Sequence, residues 1–219
     1  MKSVFKKYWL PITLLATDFT LIVLHFVNFW MPIGRYNAFY MESNNSYAEY
    51  FQNFKWVAMI VLSIMIARRK EEKKYYSWTI LFMFLSLEDL FRIHQVITSF
   101  ISQTILGGIT TRQWKILEIV VASIVGLAVI LPLIINYRKA GATFRRRSKV
   151  LIGLLMVLVF FGIVIDQAHR LYYVWDNWKR DFIVGIIEDG GEMLTASCIL
   201  IFLFLVWKHN FSGKAVIKN

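Results

Sequence analysis

Six long apolar segments interrupt the polar stretches of this chain, and they constrain its fold more than any other feature. A helix needs about 20 mostly apolar residues to cross a bilayer. The apolar segments cover residues 9–31, 54–67, 76–97, 115–137, 150–172 and 182–207. Hydrophobic residues make up 58% of the chain, against roughly 45–50% in soluble domains. The sequence therefore predicts an all-α polytopic membrane helix bundle, one transmembrane domain of six helices.

Lysine and arginine are distributed unevenly among the segments that connect these spans. With the N-terminus inside, 17 of the 25 basic residues fall in inside segments, 6 in outside segments and 2 within spans. Because positive residues concentrate in cytoplasmic loops, we predict an N-in, C-in protein of the cell membrane, in bacteria the cytoplasmic membrane. The net charge of +11 then reflects topology and contact with anionic membrane lipid. A nucleic-acid partner is not expected.

This count assigns Lys55, the second residue of the predicted 54–67 span, to the outside segments. On that assignment no lysine lies in the middle of a span, and a Schiff base to retinal is not expected.

Acidic residues show the opposite distribution, because eight of the 14 fall within the apolar segments. A charge at the bilayer centre costs about 3 kcal/mol even on insertion scales, so such residues usually face a bundle interior and mark a functional site. The eight are Asp18, Glu88, Asp89, Glu118, Asp166, Glu188, Asp189 and Glu192. The spans also hold His25, His94, His169, Arg92 and Arg170. We expect one buried polar site between mid-depth and the outer half of the bilayer.

Helical periodicity of about 100° per residue indicates which of these side chains share a face. In the third span, Glu88 and Arg92 lie four residues apart and form a predicted ion pair, with Asp89 beside them. His94 lies six residues after Glu88 and is predicted to point away from it. Glu118, near the outer start of the fourth span, is predicted to lie at the rim.

Two other helices each offer a pair of potential metal ligands. Asp166 and His169 have i, i+3 spacing, and Glu188 and Glu192 have i, i+4 spacing. Oxygen and imidazole ligands suit Zn, Mn or Fe, and a bound metal can generate a nucleophilic water. One hypothesis is therefore a metal-dependent intramembrane enzyme acting on lipid-like substrates. In this hypothesis, Glu88 and Asp89 are the catalytic bases. The metal ligands are His94, Asp166, His169, Glu188 and Glu192. The other polar residues around the site are Asp18, His25, Arg92, Arg170 and Asp189.

The order of these motifs resembles that of uncharacterised bacterial multi-pass membrane proteins. Those proteins carry an acidic pair followed by His in one helix, and an acidic pair followed by Glu-Met in the last helix. The matching residues here are Glu88, Asp89 and His94, then Glu188, Asp189, Glu192 and Met193. Gln95 stands where a further acidic residue is expected. The resemblance implies a multi-pass helical membrane protein and no particular activity.

Three other functions remain open from the sequence. The buried acids also suit the ion or proton sites of a transporter or channel. They equally suit a structural ion-pair network, with Glu88–Arg92 and Asp166–Arg170 as i, i+4 pairs. A bis-histidine haem site would draw on His25, His94 or His169. In the last span, Gly190 and Gly191 are predicted to permit close approach of another helix.

Overall fold

Every regular element in the described part of the chain is helical. The computed structural model describes residues 2–31, 37–41, 43, 45–69, 72–165 and 178–212. Its α-helices are α1 (Lys2–Trp30), α2 (Tyr47–Ala67), α3 (Tyr76–Phe91), α4 (Ile93–Phe100), α5 (Thr111–Arg138), α6 (Ala142–Val159) and α7 (Trp178–Ser212). Short 3-10 turns cover Asn37–Phe39 and Lys73–Tyr75, and π-helical segments cover Ile101–Ile105 and Phe160–Ile165. The prediction of an all-α fold is confirmed.

Five of these helices are long and apolar enough to cross a membrane. The qualifying stretches are Tyr8–Trp30, Tyr47–Ala67, Gln113–Arg138, Ala142–Ile165 and Phe182–His209. They correspond to the predicted first, second, fourth, fifth and sixth spans. The six-span topology and its N-in, C-in orientation stay predictions.

The second span differs from its prediction because α2 begins at Tyr47, seven residues before the expected start. The preceding Ser46 accepts a hydrogen bond from the Glu49 backbone N–H at 3.1 Å. The Glu49 carboxylate in turn accepts one from the Asn45 backbone N–H. This reciprocal arrangement satisfies backbone donors that a helix N-terminus leaves open. As a consequence, Lys55 lies in the interior of a candidate span and not at its outer end.

The third span is not one continuous helix, because the chain changes direction at Arg92. This residue is left-handed, with φ 46° and ψ 52°, and separates α3 from α4. Its N–H donates to the Glu88 carbonyl, and its carbonyl accepts from the Val96 N–H. Backbone hydrogen bonds therefore continue across Arg92, although α3 and α4 are two separate helices.

Substituting glycine for Arg92 is expected to stabilise the protein by about 1 kcal/mol. The left-handed conformation costs an L-residue roughly 1–2 kcal/mol, and glycine adopts it without this cost. The matched control is Val96→Gly in the exposed face of α4, which should destabilise by about 0.5–1 kcal/mol. Thermal unfolding of both variants in detergent measures the difference, and destabilisation by Arg92→Gly would contradict the strained conformation.

The chain divides into two compact units. The first comprises Met1–Ala58 with Arg147–Asn219, and the second comprises Met59–Arg146. In the first unit, α7 packs against α1 and against the π-helical segment Phe160–Ile165. In the second unit, α5 packs against α3 and α4. The prediction of a single transmembrane domain stays a prediction.

Candidate functional site

In the second unit, three helices bring two carboxylates to opposite edges of one imidazole ring. The Nδ1 atom of His94 on α4 is hydrogen-bonded to Glu88 Oε1 on α3. Its Nε2 atom lies 3.3 Å from Glu118 Oε1 on α5. All three side chains are partly buried, with 14–26% of their surface exposed. We call these residues the Glu–His–Glu triad.

The triad corrects two predictions made from helical periodicity. His94 does not point away from Glu88, because the left-handed Arg92 between them breaks the regular helical progression. Glu118, predicted to lie at the rim, faces His94, and its depth in the bilayer stays a prediction. The predicted ion pair of Glu88 with Arg92 is replaced by the contact of Glu88 with His94, and Arg92 is exposed. Asp89 is also exposed and lies outside the triad.

The packing of α5 fixes the position of Glu118. Thr110 caps this helix by accepting a hydrogen bond from the Gln113 backbone N–H, while the Gln113 side chain accepts from the Thr110 N–H. Such a capping box sets the first turn of a helix. Glu118 follows in the second turn, on the side that packs against α3 and α4.

The triad requires one more proton than a neutral imidazole carries. A neutral histidine has one N–H donor and one bare acceptor nitrogen, whereas a carboxylate is an acceptor only. Two carboxylates can therefore face both ring nitrogens favourably only if the ring is an imidazolium or one glutamate is protonated. The same proton can reside on any of three groups within a few ångströms. This arrangement can bind a proton and pass it on.

In the first unit, a second polar site joins three helices through Lys55 of α2. Its ammonium donates to Asp18 Oδ1 on α1 at 3.0 Å and to the Met193 carbonyl on α7 at 2.9 Å. It also lies 4.8 Å from the centre of the Phe51 ring, within the range of a cation–π contact. Both charged side chains are completely buried. The sequence predicts a buried Asp18, but it does not predict that Lys55 is the partner of this carboxylate.

Lys55 overturns one step of the sequence reasoning. The inference that no lysine lies in the middle of a span is wrong, because starting the second span at residue 54 put Lys55 at its outer end, whereas α2 begins seven residues earlier. The Ser46–Glu49 spacing is the signal that could have corrected it, since Ser-x-x-Glu before an apolar run marks a helix start.

His25 is a buried core histidine in the first unit. Its Nδ1 accepts a hydrogen bond from the Met41 backbone N–H at 3.0 Å, and its ring stacks on Phe182 with centroids 5.0 Å apart. The proton of the neutral ring therefore lies on Nε2. Because both nitrogens of His94 face carboxylates, the geometry of these two histidines gives no support to a bis-histidine haem site.

Three acidic residues that lie close together in α7 are half-buried, and each of them has a partner. They are Glu188, Asp189 and Glu192. The Glu192 carboxylate lies directly over Gly162 in the π-helical segment, where a Cβ atom would collide with it. Gly191 lies against the Phe161 ring and Gly190 against the Ile22 side chain of α1. These two glycines thus permit the close approach that the sequence predicts.

Part of the predicted metal centre cannot be placed, because Asp166, His169 and Arg170 lie outside the described residues. Among the residues that are described, no group of three or more His, Cys, Asp or Glu side chains is arranged to hold a metal ion. The triad illustrates the reason. Its carboxylates lie at opposite edges of the His94 ring, so their oxygens and one ring nitrogen do not converge on a common point.

The sequence model of one protein family, described as Domain of unknown function (DUF8692), matches residues 7–207. The chain belongs to this family. Both the triad and the Lys55 site lie within the part of the chain that matches DUF8692. No curated protein and no solved structure matches the chain.

Proposed function

We propose that this DUF8692 protein is a multi-pass integral membrane protein that transfers protons through its Glu–His–Glu triad, as a proton-coupled carrier or channel. One observation carries the proposal: His94 lies between two carboxylates contributed by two other helices. Chains of Asp, Glu and His serve as proton relays in membrane pumps and transporters. The five long apolar helices support membrane insertion.

The geometry of the triad is better suited to passing a proton on than to holding it at one site. The two contacts of the imidazole are unequal, with a hydrogen bond to Glu88 and a 3.3 Å approach to Glu118. A small shift of α4 toward α5 would lengthen the contact of His94 with Glu88 and shorten its contact with Glu118. The imidazole would then hydrogen-bond to the other carboxylate. The second carboxylate oxygen of Glu88 is buried and has no hydrogen-bond partner among the described residues. It provides an acceptor through which a water molecule can deliver the proton.

The metal-dependent enzyme is the second hypothesis, and it now depends on residues outside the described part of the chain. Among its proposed ligands, Asp166 and His169 lie outside the described residues, and no group of three or more His, Cys, Asp or Glu that could hold a metal occurs in the described part of the chain. Zn, Mn or Fe binding therefore stays a prediction. The proposed proton function needs no metal, which gives the two hypotheses different experimental signatures.

Replacing His94 with glutamine is expected to reduce proton flux by roughly 100-fold, the scale on which a positioned proton-transfer group contributes. Glutamine keeps a hydrogen-bonding side chain but cannot carry the proton. The measurement is dye-reported proton uptake by liposomes that contain the full chain, driven by a potassium diffusion potential. Glu118→Gln should lower flux to a similar extent. Circular dichroism of each variant establishes that the helices are retained.

The matched control is Glu49→Gln, which neutralises a partly buried carboxylate at the start of α2, outside the triad. It should conduct protons like the wild type. Absence of flux in the wild type, or equal flux in His94→Gln and the wild type, would overturn the proposal. Absence of flux in the wild type, together with stoichiometric Zn, Mn or Fe that is lost in Glu192→Ala, would support the metal hypothesis instead.

A further inference from the structure

One end of the second unit carries a group of cations, several of which have no ion-pair partner within the described residues. The turn before α3 and the turn between α5 and α6 lie together there. The Lys74 ammonium donates to the Lys139 carbonyl, and the buried Tyr75 and Phe144 rings meet edge to face with centroids 5.2 Å apart. The two turns are therefore held in a fixed relation by packing as well as by hydrogen bonding.

Two of the cations at this end have a structural role. Lys74 binds the Lys139 carbonyl. Arg145 donates from Nε to the Ala140 carbonyl at 2.8 Å and from Nη2 to the Arg138 carbonyl at 3.3 Å. A helix C-terminus leaves its last carbonyls open and carries partial negative charge, so cations there are favourable. These contacts account for Lys74 and Arg145 as caps of α5.

Four further cations have no such role. They are Lys73, Arg138, Lys139 and Arg146, all exposed, and we call them the basic cluster. None of the four forms an ion pair with a carboxylate within the described residues. Like charges gathered on two adjoining turns repel one another. An anion from outside the chain would relieve this repulsion.

We propose that the basic cluster binds the phosphate group of an anionic membrane phospholipid. The position of the cluster selects a lipid over a soluble anion, because α5 ends here and is one of the helices long and apolar enough to cross a membrane. Ile134 and Ile135, one turn before Arg138, are 42% and 44% exposed. A phospholipid whose headgroup binds these cations would therefore have its acyl chains beside exposed apolar side chains. Basic sites between spanning helices bind acidic headgroups in this way.

The inference rests on the membrane location in the proposed function but not on proton transfer. It can therefore be tested on the full chain in neutral detergent, without any flux measurement. The probes are dioleoylphosphatidylglycerol and dioleoylphosphatidylcholine, which share acyl chains and differ in headgroup charge. Binding is followed by native mass spectrometry of the protein at increasing lipid concentration.

The wild type is expected to bind the anionic lipid more tightly than the zwitterionic one. Arg138→Gln with Lys139→Gln should weaken anionic-lipid binding roughly 30-fold, at about fivefold for each cation near a headgroup. Lys73→Gln with Arg146→Gln should act similarly and leaves the caps of α5 intact. The matched control, Arg112→Gln with Lys115→Gln, removes two cations from the first five residues of the same helix, at the end opposite the basic cluster, and should bind like the wild type.

Four results would overturn the proposal. Equal affinity for the two lipids, or an equal loss in the control, would remove the role of the cluster. Displacement of the lipid by millimolar inorganic phosphate would identify a site for free phosphate. Tighter binding of a single-stranded RNA oligonucleotide than of the anionic lipid, lost in the cluster variants, would identify a nucleic-acid site.

Discussion

Replacing Lys55 with methionine is expected to lower the free energy of unfolding by about 3–5 kcal/mol, the usual cost of removing one partner of a buried ion pair. The variant leaves the Asp18 carboxylate completely buried without its counter-ion. It also removes the hydrogen bond to the Met193 carbonyl, so that α1, α2 and α7 lose a shared contact. Unfolding by sodium dodecyl sulfate in mixed micelles, followed by circular dichroism, measures the change.

A second substitution separates the loss of the ion pair from the loss of side-chain volume. Buried ion pairs can often be replaced by apolar residues of similar size at little cost. Asp18→Leu combined with Lys55→Met should therefore recover most of the stability that Lys55→Met loses. The matched control is Lys115→Met, which removes an exposed lysine from α5 and should change stability by less than about 0.5 kcal/mol. A double variant no more stable than Lys55→Met would contradict the explanation that Lys55→Met loses stability by leaving the Asp18 carboxylate without its counter-ion.

The sequence predicts the helical class of this protein because long apolar runs leave the backbone few alternatives in a membrane. It predicts helix ends less well. The start of α2 depends on the Ser46–Glu49 cap, and the apolar run alone puts Lys55 at the outer end of the span. Once the helix extends beyond Lys55 on both sides, its burial beside Asp18 follows from the need to pair a charge at that depth.

The Glu–His–Glu triad lies beyond what periodicity can predict. Arginine favours ordinary helix, and no glycine or proline accompanies Arg92 to mark a break. A continuous helix through Arg92 directs His94 away from Glu88, whereas a single left-handed residue brings them together. The residues of the site were therefore visible in the sequence, but their arrangement depends on one backbone conformation. Tertiary packing of α3 and α4 on α5 provides the context for that conformation.

Replacing Gly191 with leucine is expected to destabilise the protein by about 3 kcal/mol, the upper end of the usual cost of overpacking. A Cβ atom at this position would lie within 2.6 Å of Phe161 Cε1 and closer still to other atoms of the ring. The ring is rigid and belongs to the π-helical segment that packs against α7. The leucine can fit only if that segment moves away from Glu192, which lies over the neighbouring Gly162.

The chain offers a matched control for this substitution in Gly153, an exposed glycine of α6 with no atom within 4 Å of a Cβ at its position. Gly153→Leu should raise stability by about 0.5–1 kcal/mol, since it replaces a flexible helical residue without a clash.

Combining Gly191→Leu with Phe161→Ala should restore part of the loss, because the truncated side chain makes room for the leucine. Detergent unfolding of the four proteins in this double-mutant cycle gives the coupling energy. Additive effects would mean that Gly191 and Phe161 are not in contact. A coupling of at least about 1 kcal/mol would confirm that the π-helical segment packs against α7 through the Gly191–Phe161 contact.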